Sequence, residues 1–163
     1  MTEIENAVRV HNRYLVECFD RDGRLKWSEI IENTVVTVGL NDLLTQYFKG
    51  SGYNAAWYMG LKGAGSILAA DTLVSHGGWT EVTAYTGNRQ APTWSTAAAG
   101  SLTTTGAISF AMNGAYTVAG AFLCTVASGT AGTLYGGGDF GTARSGASGD
   151  TLNVTPTVTA ATA

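Results

Sequence analysis

Charge is scarce in this sequence. Only 13 % of its 163 residues are Asp, Glu, Lys or Arg, about half the ~25 % usual in soluble domains. The net charge is −3, which excludes the basic, clustered footprint of a nucleic-acid binder. Histidine is nearly absent as well. The only two are His11 and His76, and no Cys/His spacing resembles a metal-ligand set. The two cysteines, Cys18 and Cys124, sit in apolar-patterned strands far apart in sequence, and the expectation is two reduced, buried thiols. No apolar run approaches the ~20 residues of a membrane helix. Met1-Thr2-Glu3-Ile4-Glu5 has neither the basic nor the apolar region of a secretory signal. A surface with so little charge repels other protein surfaces weakly, so part of it is expected to be covered by a partner.

What the sequence has instead is glycine, 22 residues of it, and short strands at short intervals. Residues 1–12 read as an N-terminal segment or arm, and 13–163 as one domain. A hairpin is predicted over 13–31. Arg13–Phe19 and Arg24–Ile31 form its strands around Asp20-Arg21-Asp22-Gly23, with Asp-Gly as the turn signal. Tyr14, Val16 and Cys18 share one face. Leu40, Leu43, Leu44 and Tyr47 follow at helical spacing. They predict one short helix, about 40–49, capped by Thr37 or Asn41, ended at Gly50, and laid stripe-down on the sheet. From Trp57 to Tyr85 two short runs flank a Gly/Ala/Ser loop, read as strand, loop and strand. Ile108, Phe110 and Met112 point inward from a strand that turns at Asn113-Gly114. Tyr116–Thr125 is apolar on both faces, so it is central. Its faces read as Tyr116/Val118/Phe122/Cys124 and Ala119/Ala121/Leu123. Thr151–Thr159 alternates, and Pro156 within it predicts an edge strand. The fold class is mainly β: a jelly-roll-like β-sandwich with one helix and an N-terminal hairpin.

Chemistry-bearing residues are thin. Asp71, Ser75 and His76 are the types of a hydrolytic triad, but they are packed into one short stretch with no nucleophile elbow. They read as a capped turn with a loop histidine. Gly60-Leu61-Lys62-Gly63-Ala64-Gly65-Ser66 has its lysine before the second glycine, the wrong order for a phosphate loop. Gly136-Gly137-Gly138-Asp139 reads as a permissive turn. Asp71 and Glu81 are the only acids from Gly50 to Gly138, too few to make a glycosidase pair attractive. Trp57, Trp79 and Trp94 are core candidates first and a sugar-stacking platform second. No catalytic, cofactor-binding or metal residue is assigned, and no enzyme activity is expected.

Four blocks carry a resemblance. They are Glu32–Leu44 (Glu-Asn-Thr-Val-Val-Thr-Val-Gly-Leu-Asn-Asp-Leu-Leu), Trp57–Leu61, Ala69–Glu81 and Ser148–Val154. They resemble a family of small virion proteins of tailed bacteriophages, encoded near the major capsid protein, some of which are capsid cement (decoration) proteins. The likeness runs from about Tyr14 to the end and brings no catalytic residues with it. It implies a structural protein, made in the host cytoplasm and located on the capsid surface of the virion. Its implied partners are the major capsid protein and copies of itself, with no nucleic acid and no membrane. The hairpin 13–31 and the C-terminal strand are the expected contacts with neighbours. The alternatives are a tail, neck or fibre component of the virion, and a carbohydrate-binding module using Trp57, Trp79 or Trp94.

Overall fold

The computed structural model describes residues 8–49 and 56–162. The chain is mainly β, with 52 % strand, one short helix and an N-terminal hairpin. The strands are β1 (Val8–Phe19), β2 (Leu25–Val35), β3 (Tyr58–Lys62), β4 (Glu81–Val82), β5 (Ser101–Thr103), β6 (Ile108–Ala111), β7 (Tyr116–Cys124), β8 (Leu134–Gly146) and β9 (Thr151–Thr162). Helix α1 (Thr37–Leu44) lies between β2 and β3 and runs on as a π-helical turn, Thr45–Lys49. The strands form one antiparallel sheet in the order β4-β3-β7-β8-β2-β1-β9-β5, with β6 also paired to β9. This sheet curls into a half-barrel. Its interior is one core drawn from both halves, including Tyr14, Val16, Met59, Phe110, Val118 and Val154. A second, smaller core lies on the other face of β3-β7-β8. There Ile67, Leu73 and Trp79 of the β3–β4 connection cover Phe122, Cys124 and Leu134.

The hairpin forms as its turn chemistry requires. Gly23 has φ 78, and Asp20 Oδ1 accepts the backbone N–H groups of Asp22 and Arg24, each at 2.9 Å. Tyr14, Val16 and Cys18 are fully buried. The hairpin is no arm, however: β1 is hydrogen-bonded to β2 and β9, and β2 to β8. Val8–Asn12, assigned on sequence to the N-terminal segment, already pair with Thr162–Val158. Residues 1–7 lie outside the described residues. The C-terminal strand is not an edge either. On its second side β9 pairs with β6 through Thr151–Val154 and with β5 through Thr157–Thr159. Pro156 falls in the interval between these two pairings, where its missing N–H breaks neither ladder.

Glycine in β8 is structural. Gly136, Gly137 and Gly138 are strand residues between β7 and β2, not the turn expected from their sequence. A Cβ on Gly136 would meet the Thr34 carbonyl, and one on Gly138 the Asn33 side chain and the Glu32 carbonyl. Strand β7 is central and buried on both faces, as its composition predicts. Its faces are phased differently: Tyr116 and Val118 share the main core with Ala121 and Leu123, while Phe122 and Cys124 join the second. The β7–β8 register shifts between Val118 and Gly120, and this irregularity interrupts the strict alternation on which the sequence reading relied.

The helix departs most from expectation. It begins at Thr37, and its N-cap is Val36, with no side-chain cap. The Ala69 carbonyl takes the Thr37 N–H at 2.8 Å, doing the work assigned to Thr37 or Asn41. Gly50 lies outside the described residues. The predicted stripe does not lie on the sheet: Leu43 is 41 % exposed, Leu44 53 % and Tyr47 82 %. The helix docks through Gly39 instead, which is buried so closely that a Cβ there would collide with the Tyr135 backbone. The π-turn then changes the angular spacing of Tyr47 and Phe48 relative to α1.

Candidate functional site

The residues that suggested catalysis are each occupied elsewhere. Asp71 is buried, and its Oδ2 accepts the Leu68 N–H at 2.9 Å and the Trp79 indole N–H at 3.0 Å. His76 stacks on Trp79, with ring centroids 4.0 Å apart, and its Nδ1 lies 3.2 Å from the Trp79 carbonyl. Ser75 engages Thr72 through its backbone. The three groups pin the β3–β4 connection over the second core and are not bonded to one another. Glu81 is held by Arg89 in a two-pronged ion pair, Nε–Oε1 2.8 Å and NH2–Oε2 2.8 Å. The same guanidinium donates to the Val126 and Gly129 carbonyls and lies over the Phe122 ring. Arg89 therefore fastens the loop after β7 to β4. Among the described residues no group of three or more His, Cys, Asp or Glu is placed to hold a metal.

Lys62, singled out within the glycine loop, is fully buried. Its Nζ lies 2.6 Å from Asp139 Oδ1 and donates to the carbonyls of Gly63 and Gly65. The pairing explains how the two charges meet. Lys62 of β3 is opposite Gly120 of β7, and Gly120 is opposite Asp139 of β8. With no side chain on the middle strand, the ammonium and the carboxylate reach across it. A second cluster gathers at Asp150, whose Oδ2 accepts from Lys26 Nζ at 2.7 Å, the Tyr116 hydroxyl at 2.9 Å and the Ala147 N–H at 3.2 Å. Burial by itself would raise the Asp150 carboxyl, but these donors outweigh it and hold it below the usual carboxylate range. Cys18 and Cys124 are free and buried. Burial is the largest effect on both thiols and pushes them up, making them poor nucleophiles. Both clusters tie strands of the sheet together.

The tryptophans divide. Trp79 is 4 % exposed and belongs to the second core. Trp57 and Trp94 are half-buried against the main core and line a groove of about 770 Å³ with Leu123, Tyr135 and Val158. Trp57 meets Tyr135 edge to face at 5.4 Å. The helix forms the other wall, with Leu43, Tyr47 and Phe48. Tyr47 and Phe48 pack edge to face at 4.9 Å and are 82 % and 78 % exposed. Beneath the groove the core holds neutral polar groups. The Asn12 amide faces the Tyr135 hydroxyl, and Asn33 faces Tyr14, without well-angled hydrogen bonds.

Sequence reasoning took Trp57 and Trp94 as core first and a stacking platform second, and they pack against the core while lining the groove; it expected Leu43, Leu44 and Tyr47 on the sheet, where they are not. It missed Phe48, the Lys62–Asp139 pair and the Arg89 anchor. The one local hint was a glycine, Gly120, set among the apolar residues of a central strand; its meaning depends on the register of β3, β7 and β8. No family model matches the chain, and no curated protein matches it.

Proposed function

We propose that the protein is a structural virion component of a tailed bacteriophage, a cement protein that binds the outside of the capsid and bridges major capsid protein subunits. The reading draws on the four sequence blocks that resemble this family and on the low charge of the chain. One structural observation carries it. Large apolar side chains stand exposed together on one element, with Leu44, Tyr47 and Phe48 turned outward from the helix. The carboxylates that suggested catalysis, Asp71 and Glu81, are bonded within the fold. A protein that binds only the assembled shell lowers the free energy of that state. Repetition over many identical sites multiplies a modest contact.

The test is the ratio of this chain to the major capsid protein in purified particles, by quantitative mass spectrometry. A near-equal or simple fractional ratio is expected. A few copies per particle would move the protein to the tail, neck or fibre, and absence from the particle would end the virion reading. A second reading, carbohydrate binding, draws on Trp57 and Trp94 at the groove. It predicts quenching of their fluorescence by host glycans. A flat titration would remove it.

A further inference from the structure

The structure leaves an apolar helix face and an apolar groove side by side. Tyr47 and Phe48 project from the π-turn, and the groove beside them is floored by Trp57, Trp94 and Tyr135. We propose that this knob and this groove are the contact between two copies of this chain, related by a two-fold axis, so that the aromatic pair of each copy enters the groove of the other. The inference rests on the virion reading only for its setting and gives the self-contact of that reading a place.

Three observations favour a second copy. An isologous contact needs a surface complementary to itself, with residue i meeting j and j meeting i. An aromatic pair projecting from one wall of a groove of about 770 Å³ has that form. The face also tolerates meeting itself electrically. The sequence of α1 and the π-turn carries one acid, Asp42, and one base, Lys49, so its charges cancel, and Gln46 lies 3.4 Å from the Asp42 carboxylate. The area also suffices. The exposed parts of Tyr47, Phe48 and the three helix leucines amount to about 500 Å², since aromatic side chains offer ~150–250 Å² each. That lies in the upper half of the range for the largest apolar patch on a monomer, a size that is often functional. Two such patches together reach ~1,000 Å², the lower bound for a specific interface.

The experiment is sedimentation velocity on the full chain from about 1 to 100 µM, beside the Tyr47→Glu/Phe48→Glu variant. The wild-type chain should have at least twice the monomer mass. The variant should fall two-fold in mass with an unchanged far-ultraviolet circular dichroism spectrum. A wild-type chain that stays monomeric throughout, or a folded variant that keeps the wild-type mass, overturns the proposal. Cross-linking decides the matter if the double variant misfolds. Both native thiols are buried, so Tyr47→Cys adds the reactive one. A flexible bis-maleimide should join two copies through this thiol, and failure to cross-link overturns the contact. Asp22→Cys should give no cross-linked dimer, because the hairpin turn lies at the far end of β2, roughly 35 Å along the strand from the helix. A self-associating chain that is absent from purified shells overturns the capsid reading and supports this contact. A chain that is monomeric in solution yet abundant on shells does the reverse.

Discussion

The pair formed by Lys62 and Asp139 makes an asymmetric demand on stability. Lys62 is fully buried, whereas the Asp139 side chain is 34 % exposed. Removing the lysine leaves a carboxylate that water reaches and that still accepts the Ile67 N–H at 3.3 Å. Removing the negative charge by Asp139→Asn leaves a buried ammonium with neutral acceptors only, the carbonyls of Gly63 and Gly65 and the new amide oxygen. Breaking a buried pair from the side that strands a charge costs ~3–5 kcal/mol, so Asp139→Asn should lose about 4 kcal/mol. Lys62→Met, relieved by hydration of Asp139, should lose only ~1–2 kcal/mol. With a urea slope of about 2 kcal/mol/M for a chain of this size, these losses move the unfolding midpoint by roughly 2 M and under about 1 M. The double variant strands no charge and should be more stable than Asp139→Asn alone. The assay is equilibrium urea unfolding followed by circular dichroism at fixed protein concentration. If Lys62→Met costs as much as Asp139→Asn, or if the two losses simply add, the asymmetry argument is refuted.

Three further outcomes follow from other contacts. Gly39→Ala places a Cβ against the Tyr135 backbone and should cost about 1–3 kcal/mol, read as a lower melting temperature and faster cleavage after Lys49 in limited trypsin digestion; wild-type behaviour in both would show that the helix does not dock through Gly39. Burial raises Tyr85 and Tyr135 from 10.0 to about 12. The folded state then holds protons that the unfolded state has released, so this stabilisation is complete below about pH 10 and lost as pH rises towards 12; a melting temperature that stays flat over that window would contradict it. Asp150 is shifted the other way, with a folded value below its ordinary 3.8. Its contribution is complete above that value and is lost as pH falls through the depressed one, and Asp150→Asn should flatten the acid limb of the melting curve.

How far the sequence could be read depended on whether a residue's role was local. Turn and pairing signals are local: Asp20–Gly23 specifies its turn, and the alternation of Ile108, Phe110 and Met112 specifies a face. Burial of the three bore this out. Long-range contact is not local. The stripe Leu40–Tyr47 has ordinary helical periodicity, and nothing in that pattern says that Gly39, one residue before it, is what touches the sheet. Likewise, Gly136–Gly138 has a turn's composition until β2 and β7 are seen packed against it. Pro156 signalled an edge because the rule counts one neighbouring strand. Two short strands, β5 and β6, share that side of β9 and leave room for it. The ion pair Lys62–Asp139 spans 77 positions and three strands, so only the register through Gly120 reveals it.

The sheet also bears on how the protein behaves when crowded. The strands at its two ends are β4, with two residues, and β5, with three. Open strand edges recruit further strands, and a chain with long ones polymerises without limit when many copies are brought together. Here the long strands β1 and β9 are interior, and the end strands are too short to template another chain. Where β2 and β8 part, beyond Asn33–Val35, the gap is plugged by charge: Glu29 accepts from the Gly141 N–H and from Arg144, and charged side chains blunt an open edge. Copies can therefore accumulate at very high local concentration while meeting only through side-chain faces, which close on a fixed number of partners, and not through backbone ladders, which have no natural stopping point.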